Sequence, residues 1–278
     1  MSEAPIKQAV LCADDYALNA SISQGIVALA VLGRITATSV MVCSPRWRED
    51  AAALREMRGR LDVGLHLDWT SEFAQADRFG QGLNLLMGRA LLRVTSKKRL
   101  EQQIERQLDA FEQHWDAPPD HVDGHQHIQQ FAGWREALLS VLTRRYGHLA
   151  RRPWLRVSRV AQPGLKGRII SSMGAQALQD LARNAAWPEV SPLLGVYNFD
   201  GSLADYAQRM QTWLQQLPTQ TQPALIMCHP ALSAQADDAI GAARAREFAY
   251  LAGTDFVQHL RDAGVQLVRG SGLPILHS

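Results

Sequence analysis

Short apolar runs recur along the chain, and polar side chains interrupt them near their C-terminal ends. Gln8–Asp15, Thr36–Cys43, Leu61–Asp68, Asp120–Ile128, Trp154–Val160, Gly195–Asp200, Ala224–Pro230 and Val265–Val268 are mostly unbroken in Val, Ile and Leu. A continuous apolar run suits a parallel strand buried on both faces. Between the runs, apolar residues return at helical spacing. Ser21–Leu32 stops at Gly33, and Lys97–Trp115 repeats Leu100, Ile104, Leu108, Phe111 and Trp115. Trp134–Tyr146 stops at Gly147, Ala204–Leu217 stops before Pro218, and a last helix runs from Thr254 to Gly264. Eight strands alternating with helices predict an α/β fold, a (β/α) barrel or a close variant. A doubly wound open sheet is the competitor, weakened because no glycine-rich phosphate loop follows the first strand. Two long connections, Ser71–Ser96 and Ala161–Leu194, are expected to line or cover the mouth of the barrel.

A chain of 278 residues, 46% hydrophobic, buries roughly 75% of its unfolded surface and needs no staples. No low-complexity linker, charge run or internal repeat divides it, so one domain over 1–278 is expected. With 29 basic and 27 acidic residues, the overall charge gives no general reason to seek nucleic acid or anionic lipid. No run approaches the ~20 apolar residues of a membrane span, and paired aspartates precede any signal-peptide core. A soluble, cytoplasmic protein is expected, and its many aromatic and aliphatic helix positions would permit a homodimer. Cys12, Cys43 and Cys228 are far apart in apolar runs and read as small buried hydrophobes.

The chemistry gathers in four clusters: Asp14-Asp15, His66, the run His121-Val-Asp123-Gly-His125-Gln-His127, and His229. Barrel strand ends meet at one mouth, where active sites are built. On a strand, His121, Asp123, His125 and His127 project to one side, and such a row in an apolar protein needs water, partners or a metal. Adjacent aspartates on a straight strand point apart, so Asp14 and Asp15 can share a site only where the strand is turning. One carboxylate with two imidazoles suits a hydrolytic divalent site with positions open for water and substrate. Taken alone, His66 is more often merely hydrogen-bonded, His229 is as easily structural, and the aspartate pair could simply cap a turn. His114, His148, His259 and His277 read as surface or packing residues. No G-x-S-x-G elbow is present, and Cys228 and His229, being neighbours, point apart.

Ala13-Asp14-Asp15-Tyr16, Gly64-Leu65-His66-Leu67, the run His121–His127 and Cys228-His229-Pro230-Ala231 together resemble, in order and spacing, the motifs of the YdjC-like carbohydrate deacetylases. That family includes chito-oligosaccharide and hopanoid-biosynthesis-associated deacetylases. The resemblance runs from residue 8 to about 268. It implies a TIM-like, distorted (β/α) barrel of the glycoside hydrolase/deacetylase type, and metal-dependent removal of an N-acetyl group from an amino sugar. Carried over, Asp15, His66 and His125 hold the metal, Asp14 is the base and His229 the acid. His127, His121 and Asp123 orient those groups or meet substrate, and Arg156 is a further polar candidate at the mouth. The resemblance implies magnesium, whereas imidazole ligands favour zinc, cobalt or nickel. Ala17 and Gln129 stand where the family usually has glycine and histidine.

Overall fold

The computed structural model describes residues 7–161, 164–219 and 222–272; His277 lies outside them. Its centre is β1 (Lys7–Tyr16), ten residues that pair in parallel with three other strands. The chain continues through α1 (Ala20–Val31), β2 (Ala37–Val40), α2 (Trp47–Arg55) and β3 (Asp62–Leu67). An excursion carrying α3 (Glu72–Ala76) and α4 (Leu83–Leu91) precedes α5 (Lys97–Trp115) and β4 (His121–Gly124). Then come α6 (Trp134–Tyr146), β5 (Trp154–Arg156), α7 (Leu165–Ser172), α8 (Ala175–Asn184), β6 (Glu189–Val190) and β7 (Leu193–Leu194). The last elements are α9 (Leu203–Gln216), β8 (Ala224–Cys228), α10 (Gly241–Ala252), α11 (Thr254–Asp262) and β9 (Val265–Leu267).

The sheet is parallel throughout, in the order β6-β5-β4-β3-β2-β1-β8-β7, with β9 on β1. It curls until Val160, beyond β5, bridges Leu193 of β7, and this makes the expected distorted barrel. Alternation along β1 sorts its side chains. Ala9, Leu11 and Ala13 pack outward against the helices, whereas Val10 and Cys12 join Trp154, Leu193, Leu225 and Met227 in the interior. Burying the outer faces requires helices with one apolar stripe. On α5 that stripe is Leu100, Ile104, Leu108, Phe111 and Trp115, as expected from spacing.

Two expectations fail. Gly195–Asp200 is not a strand; pairing stops at Leu194, because Gly195 turns left-handed (φ 94°) with its α-carbon close against the Met227 backbone. The row His121–His127 is not one strand face. β4 ends at Gly124, and residues 125–130 form a tight 3₁₀ turn in which Gln126 and His127 are left-handed.

Candidate active site

The sequence places Asp14 and Asp15 side by side, and the backbone makes them converge. Register between β1 and β2 breaks between Ala13 and Tyr16, and Asp15 takes φ 69°. Bulges of this kind re-aim side chains next to active sites. Ala17 is also left-handed, at φ 71°, a conformation that favours the glycine expected there.

Each Asp14 oxygen accepts a hydrogen bond from Arg156, Oδ2 from Nη1 and Oδ1 from Nη2, both at 2.6 Å. Arg156 Nη2 also lies 2.6 Å from Asp123 Oδ2. Arg156 is therefore no mouth-lining group, as its sequence position suggested; it is buried and ties β1 to β4 through β5. Burial alone would raise the Asp14 pKa, but the guanidinium prevails and lowers it. Asp123 is held low by the same balance.

His66 faces both carboxylates. Its Nδ1 is 2.6 Å from Asp123 Oδ1 and its Nε2 is 3.4 Å from Asp15 Oδ1. Burial would lower its pKa, yet Asp123 above all, then Asp15, push it up to about 10. Asp15 Oδ2 accepts from Arg244 Nη2 at 2.7 Å, which drives the Asp15 pKa well down against burial. Its other oxygen, Oδ1, is buried and has no hydrogen-bond partner among the described residues. An orphaned carboxylate oxygen opposite an imidazole held by a second carboxylate is the arrangement a cation would complete.

His125 stands beside this pair, its ring centroid 5.8 Å from that of His66. Thr70 Oγ1 holds its Nδ1 at 2.7 Å. Asp68 sets that stretch by accepting the Thr70 and Ser71 N–H groups, and Gln107 of α5 clasps the Asp68 backbone. His127 turns to Ser158, with Nδ1 3.0 Å from the Oγ, and burial takes its pKa down to about 3. His121 lies deeper, stacked on Trp154 at 4.2 Å and reaching Ser39 Oγ at 3.1 Å. That serine in turn donates to Asp123 Oδ2 at 2.6 Å.

Opposite these groups, His229 Nε2 lies 3.9 Å from Asp14 Oδ2. Its backbone N–H donates to Glu247 Oε2, and its ring stands edge-on to Phe199, itself left-handed at φ 61°. Burial lowers its pKa to about 4, and its Nδ1 has no partner among the described residues.

Two groups of three ligand atoms lie within 4.8 Å of one another among the described residues: Asp14–His66–Asp123 and Cys12–His121–Asp123. In both, Arg156 already occupies the cation's place, on Asp14 and Asp123 in the first and on Cys12 Sγ and Asp123 in the second. The expected trio Asp15–His66–His125 is looser, but it retains an unpartnered carboxylate oxygen, Asp15 Oδ1. Sequence reasoning missed Arg244, Glu247, Ser39 and Asp68. Arg244 and Glu247 are three apart on α10, so they share a face, but nothing in RAREFA marks that face as lining a mouth.

A family model described as YdjC-like protein matches residues 8–262. The chain belongs to the YdjC-like family. Within that frame, it is 28% identical over 127 residues to the chitooligosaccharide deacetylase of Proteus mirabilis (strain HI4320). The match takes in 44% of this chain, which spans about half (50%) of that curated relative. A structure from Enterococcus faecalis V583, described as a candidate cellobiose-phosphate cleavage protein, superposes with TM-score 0.69 at 19% identity, covering 95% of this chain and 98% of that one. An uncharacterized protein from Agrobacterium tumefaciens C58 gives TM-score 0.58 at 10% identity, over 98% and 90%. The YdjC-like chain thus shares the whole fold of these structures.

Proposed function

We propose that the protein is a metal-dependent carbohydrate deacetylase that removes the N-acetyl group of an amino sugar. The observation that carries this reading is the orphaned Asp15 Oδ1 facing His66 Nε2, with Asp14 and His229 adjacent. Family membership and the Proteus relative support the choice of substrate class.

Asp15, His66 and His125 would hold one divalent ion. Charge supports this: the carboxylates of Asp14, Asp15, Asp123 and Asp238 face the guanidiniums of Arg156 and Arg244 and a His66 imidazole whose extra proton a divalent ion would displace. A bound ion would acidify a water and polarise the acetyl carbonyl. Asp123 fixes the His66 ring and its tautomer through Nδ1, as Thr70 does for His125. Arg156 keeps Asp14 ionised, so Asp14 can accept the water's proton as oxygen bonds to the acetyl carbon. His229, neutral in the resting site with Nε2 3.9 Å from Asp14 Oδ2, would take on the proton that Asp14 accepts from water and pass it to the amine as the C–N bond breaks, so that both groups end as they began. Acetate and the free amino sugar leave. One carboxylate with two imidazoles favours zinc or cobalt, whereas family resemblance favours magnesium.

Acetate release from a panel of N-acetylated mono- and oligosaccharides, with metal content measured on the same preparation, tests the proposal. Release dependent on a stoichiometric divalent ion is expected. No release from any N-acetylated sugar with magnesium, zinc or cobalt supplied would overturn it.

A further inference from the structure

The near-neutral charge of the whole chain hides a local extreme. Between Asp77 and Glu101 there is no acidic residue, while Arg78, Arg89, Arg93, Lys97, Lys98 and Arg99 are all basic. The same stretch exposes apolar side chains that the fold could have buried. Leu91 is 84% exposed, Leu92 72%, Val94 59% and Leu85 56%. These are four of the ten large hydrophobic residues exposed among the described residues.

Local structure explains how they come together. α4 buries Leu86 and Ala90 and turns Leu85 and Leu91 away. Past its end, Arg93 adopts a left-handed conformation (φ 50°) and the Val94 N–H bonds back to the Arg89 carbonyl. Leu91, Leu92 and Val94, all exposed, thus lie at one tight turn, the tip of this excursion, and the cationic first turn of α5 follows at once. Behind the tip, α4 and α5 enclose a cavity of about 430 Å³. Arg78, Arg89 and Arg99 line it, together with Asp77, whose carboxylate is paired with Arg106 at 2.9 Å, and Trp134, a buried indole whose Nε1–H has no partner among the described residues.

We propose that this tip docks the protein on the surface of an anionic phospholipid bilayer. The leucines and valine enter the interface between headgroups and acyl chains, the surrounding cations meet lipid phosphates, and the arginine-lined cavity accepts one headgroup. Exposed aliphatic side chains followed closely by Lys and Arg are the chemistry of peripheral membrane attachment. The charge complementarity selects anionic lipid over a second copy of the chain, whose matching face would be equally basic. No helix among the described residues is long and apolar enough to cross a membrane, so attachment is to the surface. This inference does not depend on the reaction proposed above.

Co-sedimentation with vesicles tests it, using the full chain, phosphatidylcholine alone or phosphatidylcholine mixed with phosphatidylglycerol, at low and high salt. Binding to the mixed vesicles, weakened by salt, is expected. Leu91→Ser with Leu92→Ser should lose binding at both salt levels. Lys97→Gln, Lys98→Gln and Arg99→Gln together should weaken it on the order of 100-fold. All five positions are exposed, so unchanged circular dichroism and thermal unfolding are expected for both variants. Wild-type protein left in the supernatant with anionic vesicles at low salt overturns the proposal. So does a dimer, by light scattering, that the double leucine variant abolishes without any effect on vesicles.

Discussion

Both ends of the barrel bury carboxylates, and they satisfy them differently. At the N-terminal end, Asp62 Oδ2 accepts from Trp154 Nε1 at 3.1 Å and from the Ser271 N–H at 2.8 Å, while Oδ1 accepts from Ser271 Oγ at 2.5 Å. Its neighbour Asp120 accepts the Val63 N–H. At the mouth, Asp15 Oδ1, His229 Nδ1 and Arg244 Nη1 are buried without partners among the described residues. Both clusters bury aspartates, so a buried carboxylate by itself does not separate them. What separates them is completeness. A carboxylate with every oxygen engaged holds the fold closed, whereas one left incomplete is waiting for something the chain does not supply.

Substitutions should therefore divide by end. The largest effect is expected at Asp15: Asp15→Asn should strip the metal and take acetate release to background, partly restored by excess metal. Asp14→Asn should keep the metal and lose on the order of 10²–10⁴-fold in rate. Calorimetric metal titration of both variants decides it, and metal loss from the Asp14 variant alone would reverse the two roles. His229→Ala comes next. It should retain metal and lose amide turnover within the same 10²–10⁴ range, with a smaller loss on an acetyl ester bearing a good leaving group. Equal losses would make His229 a positioning residue.

A third effect concerns stability at the mouth. Glu247, fully buried, accepts from Tyr197 and from the His229 backbone, and burial raises its pKa from 4.5 to about 7. A carboxyl with a raised folded-state pKa contributes stability that is complete below 4.5 and lost as pH climbs through 7. Urea unfolding should thus show wild type losing up to roughly 3 kcal/mol across that window, with Glu247→Gln losing much less. A parallel slope in both proteins would contradict the assignment. The smallest effect is expected at the closed end: Asp62→Asn should reduce stability by about 1–3 kcal/mol and leave acetate release unchanged. A large loss of activity there would erase the distinction between the two ends.

Much of this was legible in sequence. Apolar runs located most strands, and helical spacing gave α5 and α6 their observed limits. The motifs brought Asp14, Asp15, His66, His125 and His229 to one mouth because parallel strands deliver their C-terminal ends together. What escaped was set by non-local geometry. Gly195–Asp200 is rich in strand-forming side chains, but Tyr197 is drawn off to pack on Tyr206 and Trp213 of α9. His125 leaves the strand at a 3₁₀ turn, and His127 reaches its position through left-handed backbone at Gln126 and at itself, which no periodicity announces. Arg156 read as a polar candidate at the mouth, since nothing on β5 tells that its charge is consumed by aspartates on β1 and β4.

That sharing of one guanidinium has a consequence for how the chain can change over evolutionary time. Removing Asp14 leaves Arg156 with only Asp123 to balance it, and removing Arg156 leaves two buried anions facing each other. After the first loss the second does less damage, so the effects of the three residues are epistatic rather than additive. Single steps away from the trio are penalised most and paired steps least. Asp14, Asp123 and Arg156 should consequently be retained or abandoned as a set among relatives of this fold, a stricter signature than any one of the motifs they belong to.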